Sequence, residues 1–244
     1  MKAKFEVIDA NTFFGPSQTP AMDLSLDSLI QAVNNHGIAK ACTLSTVGFC
    51  HNYVEGNQAT IAACAGHAEL IPVAAVDPRG VFSAVASEIA ALPSLGFRMF
   101  RFFPDEQGWP IRYAPFVDAL DAIEPTGLPV MIGVAEAGQA TAILEIVKGR
   151  RNAFILTGSP YEGLAEACSV MRKANNVFLE TNSLLASGSF GLMVREVGSG
   201  RLVFGSGCPR ASLAGALRQI EASELGEADK VKILSGNIKT LLGI

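Results

Sequence analysis

The chain has 244 residues, 49% of them hydrophobic and 17% charged, with 19 basic and 23 acidic side chains and a formal net charge of −4. That apolar content excludes a disordered chain, which stays uncollapsed only through low hydrophobicity and dense charge. The acidic balance leaves no cationic surplus to neutralise a phosphate backbone, so no nucleic acid is expected as a partner.

Short apolar runs alternate with longer amphipathic segments from end to end. Phe5–Asp9 reads as a first strand, followed by a helix opened by Asp23 or Ser25, carrying Leu29, Ile30 and Val33 and stopping at Gly37. Ala39–Ser45 is the second strand, with Asn57–Cys64 in its helix, and Leu70–Val76 the third, with Ser83–Leu92. Phe97–Phe103 precedes a helix over Phe116–Ile123, and Pro129–Val134 one over Gln139–Lys148. Ala153–Leu156 is followed by Leu164–Ala174, and Val177–Glu180 by Phe190–Val197. Leu202–Gly205 with Leu213–Ala222 makes the eighth unit, and Lys230–Leu242 adds a closing helix.

The units repeat at roughly 30 residues, the size of a strand–helix–strand crossover. Every strand is a continuous apolar run, as burial on both faces demands in a parallel sheet covered by helices. Eight such units close most naturally into a (β/α)8 TIM-type barrel with an extra C-terminal helix, here as one domain over residues 1–244. The rival, a doubly wound open sheet, would carry a glycine-rich turn after its first strand. The turn here is Asp9-Ala10-Asn11-Thr12-Phe13-Phe14-Gly15.

Glu6 and Asp9 interrupt the apolar run that follows Met1–Lys4, so neither a signal nor a transit peptide is expected. Elsewhere charges and prolines, as at Asp77-Pro78-Arg79, cut apolar stretches before the ~20 residues of a membrane span, so no membrane partner is expected. Five scattered cysteines (Cys42, Cys50, Cys64, Cys168, Cys208) without a CxxC support neither a disulfide framework nor a zinc knuckle. A cytoplasmic, reducing setting is the expectation. Self-association into a homo-oligomer is left open.

Barrel enzymes place their chemistry at the carboxyl ends of the strands. Those ends supply Asp9 and Asn11; Ser45, Thr46 and beyond them His51; Asp77 and Arg79; Arg101, Asp105 and Glu106; Gly133 and Glu136; Thr157, Gly158 and Ser159; Glu180, Thr181 and Asn182; and Ser206, Gly207, Cys208 and Arg210. Asp9 and Glu180 are the candidate catalytic groups. Asn11, His51, Arg101, Thr157, Ser206 and Arg210 are the candidate contacts to a substrate.

Ordered motifs then point to a family. Ile8-Asp9-Ala10-Asn11-Thr12-Phe13-Phe14-Gly15, Ala74-Ala75-Val76-Asp77-Pro78-Arg79 and Gly96–Pro104 are followed by Leu128-Pro129-Val130-Met131-Ile132 and Phe178-Leu179-Glu180-Thr181. Phe204-Gly205-Ser206-Gly207-Cys208-Pro209 and Lys232-Ile233-Leu234-Ser235-Gly236-Asn237 complete the series. In this order and spacing the chain resembles the amidohydrolase superfamily, in particular the branch of small metal-dependent hydrolases, decarboxylases and dicarboxylate lactonases. The resemblance implies a D-x-H-x-H-x-G motif on the first strand and F-G-S-D-x-P on the eighth. It also implies histidines on the fifth and sixth strands and a divalent metal held by these groups.

The metal-binding side chains of that pattern are absent. Asn11 and Phe13 replace the first-strand histidines, Gly133 and Gly158 the later ones, and Gly207 the aspartate. Zinc or manganese needs imidazole and carboxylate donors, and glycine offers no side chain. Only three histidines exist, and His36 and His67 precede strands, at the opposite face of the barrel. No metal and no other cofactor is expected.

Several residues carry two readings. Asp9 either does chemistry or accepts hydrogen bonds from the next turn, and Asn11 either orients a substrate carbonyl or caps a loop. Phe13 is expected to fill part of the lost metal pocket. The glycines either open a cavity or let backbone amides approach a ligand. Arg98 and Arg101 have opposite parity, so only one faces the barrel interior. An inward Arg101 either holds a substrate carboxylate, as the resemblance to lactonases implies, or pairs with Glu180 or Asp9. Glu180 serves as a general base if burial lifts its pKa, and otherwise pairs with Arg101. Cys208 is a weaker candidate nucleophile, and Ser206, Gly207, Arg210 and Ser212 form a candidate anion cradle.

Two functions follow. One is a metal-independent hydrolase of an amide, ester or lactone in a small carboxylate-bearing compound. The other is a catalytically inactive barrel that binds a small molecule or a partner protein.

Overall fold

Strands that are apolar on both faces need a cover on both sides, and the computed structural model shows how the chain provides it. The structure describes residues 3–17, 19, 22–80, 85–159, 163–184, 186 and 188–244. The first half runs β1 (Ile8–Phe14), α1 (Leu26–His36), β2 (Lys40–Ser45), α2 (Val47–Cys50), α3 (Tyr53–Ala65), β3 (Leu70–Ala75), α4 (Val85–Ala91), β4 (Met99–Phe102), α5 (Pro104–Gln107) and α6 (Ala114–Ile123). The second half runs β5 (Val130–Gly133), α7 (Gln139–Val147), β6 (Phe154–Thr157), α8 (Leu164–Lys173), β7 (Val177–Glu180), α9 (Ser189–Val197), β8 (Leu202–Val203), α10 (Leu213–Ala222), α11 (Glu227–Val231) and α12 (Asn237–Leu242).

The eight strands pair in chain order, each parallel to the next. The ring is drawn shut between β1 and the segment after β8. There the Ala10 N–H donates to the Phe204 carbonyl (2.9 Å), Phe13 to Cys208 (2.9 Å) and Gly207 to Asn11 (2.8 Å). This is a (β/α)8 barrel of TIM type.

Strand parity divides the core in two. Met99, Met131, Ile155 and Val203 point inward and pack with Ile8, Cys42, Leu44 and Val73 in the lumen. Phe100, Phe102, Ile132, Leu156 and Leu179 point outward against Phe116, Leu120, Ile143 and Met171 of the helices. Ser25, Asn52 and Ser212 cap α1, α3 and α10 by accepting free first-turn amides, each worth about 1 kcal/mol. No helix among the described residues is long and apolar enough to cross a membrane. The five cysteines are all free.

Three expectations need correction. The first strand is not Phe5–Asp9 but Ile8–Phe14, so what reads as a turn is mostly strand. Its polar residues are accommodated by an irregularity between Asp9 and Thr12 in the pairing with β2, where the Thr12 hydroxyl donates to the Cys42 carbonyl (2.9 Å). The closing helix begins at Glu227 rather than Lys230, and a π-helical segment, Lys232–Gly236, separates α11 from α12. The Ile233 carbonyl accepts from the Phe204 N–H (3.0 Å), a tertiary bond that draws it out of the regular ladder. Of the helix expected over Ser83–Leu92, Ser83 and Ala84 lie outside the described residues, and the chain turns 3-10 from Leu92 to Leu95 around Pro93.

At the carboxyl-terminal side of the barrel, α2 and α3 cross so closely that a β-carbon on Gly56 would lie 2.2 Å from the Gly48 backbone. Gly56→Ala is therefore expected to lower stability by about 1–3 kcal/mol through overpacking. Gly66→Ala, whose β-carbon would meet nothing nearer than the Ala63 carbonyl at 3.9 Å, is the control. Urea unfolding of the two variants checks the difference.

Candidate functional site

The carboxyl ends of the strands surround a cavity of about 250 Å³, lined by Asn11, Phe13, Arg101, Phe103, Asp105, Glu106, Gly133, Thr157, Gly158, Asn182, Gly207 and Arg210, among others. A larger hollow of about 580 Å³ lies on the barrel's flank beside α3 and α4, with an apolar wall that includes Ile61, Ile89, Leu92 and Phe97. It shares no lining residue with the mouth and, among the described residues, presents only Tyr53 and Glu88 as titratable groups. The chemistry-bearing side chains converge on the smaller cavity.

Its floor is built around Arg101 on β4, which faces inward in step with Met99 while Arg98 is exposed. Arg101 is only 6% exposed. Nη1 donates to Asn11 Oδ1 (2.6 Å), and the guanidinium carbon lies 4.5 Å from the Phe13 ring centre and 4.7 Å from that of Phe103. The Nε–H is buried without a partner. Burial pulls the guanidinium pKa down to about 10 against the opposing pull of Glu180 and Glu106, which leaves it charged at neutral pH. Of the two readings of Arg101, the direct ion pair with Glu180 or Asp9 is not formed. Both acids act on Arg101 through space, and the Asn11 amide stands on the acceptor side of its hydrogen bond.

Asn11 passes the contact on. Its amide nitrogen donates to Glu180 Oε2 (3.4 Å) and lies 3.5 Å from Thr157 Oγ1. Glu180, at the end of β7, is wholly enclosed. Oε2 accepts from the Thr157 hydroxyl (2.7 Å) and Oε1 from the Asn182 N–H (2.7 Å). Gly205 stands so close that a β-carbon there would sit 2.3 Å from Oε1. Burial lifts the Glu180 carboxyl to about 7, against the lowering effect of its two hydrogen bonds.

Asp9 is also wholly enclosed. Oδ1 accepts from the Asn11 and Ser206 amides (3.0 Å each) and Oδ2 from the Ser206 hydroxyl, which in turn accepts from the Cys208 N–H (3.0 Å). This ties β1 to the loop after β8. Burial raises the Asp9 carboxyl to about 6, and those hydrogen bonds limit the rise.

The candidate residues thus separate by place. Asn11, Arg101, Thr157 and Arg210 line the mouth. Glu180 sits beneath its floor, while Asp9 and Ser206 belong to the strand tie, and none of the three lines the cavity. His51, exposed at the end of α2, does not line it either. The cradle around Ser206, Gly207, Arg210 and Ser212 is not assembled, because Ser206 is engaged by Asp9 and Ser212 caps its own helix. Cys208 is buried, which pushes its thiol up to about 12 and removes it as a thiolate nucleophile. Arg210 stacks over Phe13 at 5.4 Å and faces Glu106 at 3.9 Å. Phe103, which stacks on Phe49 and flanks Arg101, is the residue that sequence reasoning passed over. Its place two residues after Arg101 could have marked it as inward.

The metal that the resemblance implies does not fit these residues. The five positions at which ligands are implied hold Asn11, Phe13, Gly133, Gly158 and Gly207. Among the described residues no group of three or more His, Cys, Asp or Glu side chains could hold a metal ion. The enclosed carboxylates of Asp9 and Glu180 are committed to protein donors, and a guanidinium charge already rests against Asn11 and Phe13.

A sequence profile described as amidohydrolase matches residues 47–244. No curated protein matches. Among solved structures, 2,6-dihydroxybenzoate decarboxylase from Rhizobium superposes with a TM-score of 0.78 at 15% identity, covering 98% of this chain and 99% of that one. 5-Carboxyvanillate decarboxylase from Sphingomonas paucimobilis gives 0.77 at 11% identity over 99% and 100%. A probable 2-pyrone-4,6-dicarboxylic acid hydrolase from Acinetobacter baumannii, with citric acid bound, gives 0.77 at 15% identity over 98% and 100%. At these identities the likeness is one of fold.

The raised carboxyls carry a pH signature. Glu180 moves from an ordinary 4.5 to about 7 and Asp9 from 3.8 to about 6. Above the ordinary value the unfolded chain releases a proton that the folded chain keeps, so stability falls as pH rises and levels off once the folded pKa is passed. Glu180→Gln is expected to flatten the plot of unfolding free energy against pH between 4.5 and 7. An unchanged slope would mean that Glu180 is ionised across that range.

Proposed function

The chain belongs to the amidohydrolase family, and on that premise we propose a metal-independent hydrolase of an amide, ester or lactone in a small carboxylate-bearing compound held at the barrel mouth. One observation carries this reading: the Thr157 hydroxyl lines the cavity and donates to a buried carboxyl whose pKa lies near neutrality. A general base works best when its pKa is close to the operating pH.

The roles follow from the contacts. Arg101 and Arg210, whose side chains line the mouth, hold the ligand's carboxylate. Asn11 positions both Arg101 and Glu180. A water at the floor donates to Thr157 Oγ1 as the Thr157 proton moves to ionised Glu180 Oε2, and the water oxygen bonds to the scissile carbonyl carbon. When the tetrahedral intermediate collapses, the bond to the leaving oxygen or nitrogen breaks, and Glu180 returns the proton to it through Thr157. Asp9 and Ser206 fix β1 against β8 and take no part in the transfer. The carboxylate ligands of the structural neighbours support the substrate class, and five free thiols support a cytoplasmic setting.

A second reading, a catalytically inactive barrel that binds its carboxylate without turnover, is favoured by the complete enclosure of Glu180 and Asp9.

A panel of carboxylate-bearing lactones and esters, offered to chelator-dialysed protein, separates the two. The hydrolase reading expects turnover that survives chelation and a kcat/KM that climbs with pH through about 7 as Glu180 ionises. Glu180→Gln and Thr157→Val should each cost about 10²–10⁴ in kcat, the usual worth of acid–base help. Arg101→Met should raise KM by removing the carboxylate contact and also lower kcat, because it frees Asn11 and removes the charge that holds the Glu180 pKa down. Thermal stabilisation by carboxylates with no turnover would select the inactive barrel. A tightly held stoichiometric transition metal would defeat metal independence.

A further inference from the structure

Three glycines line the mouth: Gly133, Gly158 and Gly207. Two of them are glycine for backbone reasons, since φ is +75° at Gly158 and +71° at Gly207, in the region L side chains avoid. Gly133 is different. It ends β5 in strand pairing with Thr157, and its φ is not in the left-handed region. A β-carbon there would meet only Pro104 Cδ, at an ordinary 3.8 Å. Glycine weakens a strand by its flexibility and by leaving nothing to pack. Neither the backbone nor the packing of this protein calls for glycine at this position.

What the position does supply is room. Gly133 shares the inward parity of Met131, so a side chain there would project into the mouth. Gly158, which follows its strand partner, has nothing within 4 Å of where its own β-carbon would be. Two bare backbones therefore lie side by side in a cavity that Phe103, Val134 and Ala135 also line. A cavity of about 250 Å³ is far larger than a carboxylate group alone fills.

We propose that Gly133 is the specificity-determining residue of the mouth: the open space over its α-carbon is a subsite for a flat ring, carried by a ligand whose carboxylate is held by Arg101 and Arg210. This rests on the reading of the mouth as a carboxylate site. Ring-bearing acids such as benzoate use the subsite, and acyclic acids such as acetate leave it empty.

Calorimetric or NMR titration of benzoate and acetate into the wild type, Gly133→Ala, Gly133→Val and Arg101→Met tests it. Gly133→Ala should weaken benzoate by about tenfold and Gly133→Val by more, with acetate held within about twofold, the scale on which a pocket discriminates single carbons. Gly133→Ala should melt no lower than wild type, and Arg101→Met should lose both acids. The proposal is overturned if benzoate binds both Gly133 variants as it binds wild type while Arg101→Met still loses it, in which case the carboxylate reading stands alone. Parallel loss of both acids in the Gly133 variants also overturns it, as does a lowered melting temperature in Gly133→Ala. If neither acid binds wild type, the carboxylate reading falls first and the subsite with it.

Discussion

A guanidinium almost wholly removed from water sets the terms for everything around it. Arg101 meets no carboxylate directly; its hydrogen bond goes to the side-chain Oδ1 of Asn11, and its faces rest on Phe13 and Phe103. Ring faces offer a cation a partly negative surface without a counter-charge. Because the Asn11 oxygen is committed to Arg101, its amide hydrogens must face Glu180, and Thr157 and Asn182 satisfy the rest of that carboxylate. One buried charge thus orients side chains on β1, β6 and β7. The tie between Asp9 and Ser206 then holds β1 to the loop after β8, so the barrel's closure and the floor of its mouth depend on neighbouring residues of one strand.

The alternation of strand and helix was legible because burial on both faces leaves a direct trace, an unbroken apolar run. Where a strand carries polar residues that the fold consumes internally, that trace fails. β1 is the case in point: Asp9, Asn11 and Thr12 look like a turn, yet each spends its polar atoms on buried partners in other strands or the loop after β8. The π-helical segment before α12 was illegible for a related reason. Its cause is a carbonyl taken by Phe204, some thirty residues earlier, which no local pattern records.

At the mouth, parity alone separated Arg101 from Arg98, because side-chain direction in a strand follows from position. The partner of Arg101 could not be read that way. An inward guanidinium invites an acid, and two acids were at hand, but which side chain fills the intervening space depends on the bulge in β1 that sets where Asn11 points. The glycines show the same limit. Sequence gives the loss of a side chain and not its reason. Backbone angle accounts for Gly158 and Gly207, and only the room left for a β-carbon at Gly133 distinguishes a residue kept small from one forced to be glycine.

The electrostatics of the floor then constrain any anion that enters. Burial raises both carboxyls and the Asp9 charge raises Glu180 further, with a single buried guanidinium to offset them. A ligand carboxylate adds a further negative charge to that group and favours the protonated form of Glu180, which opposes the ionised form that the proposed base needs. A second cation relieves the conflict. Arg210 is placed for it, sharing the Phe13 ring with Arg101 while Glu106 stands 3.9 Å away and leaves its charge largely unspent. An anion drawn toward Arg210 lets Arg101 continue to offset Glu180 and keeps its charge from falling wholly on the enclosed acids. In this geometry the half-exposed arginine is what lets an acidic ligand and a buried acidic base occupy one barrel mouth.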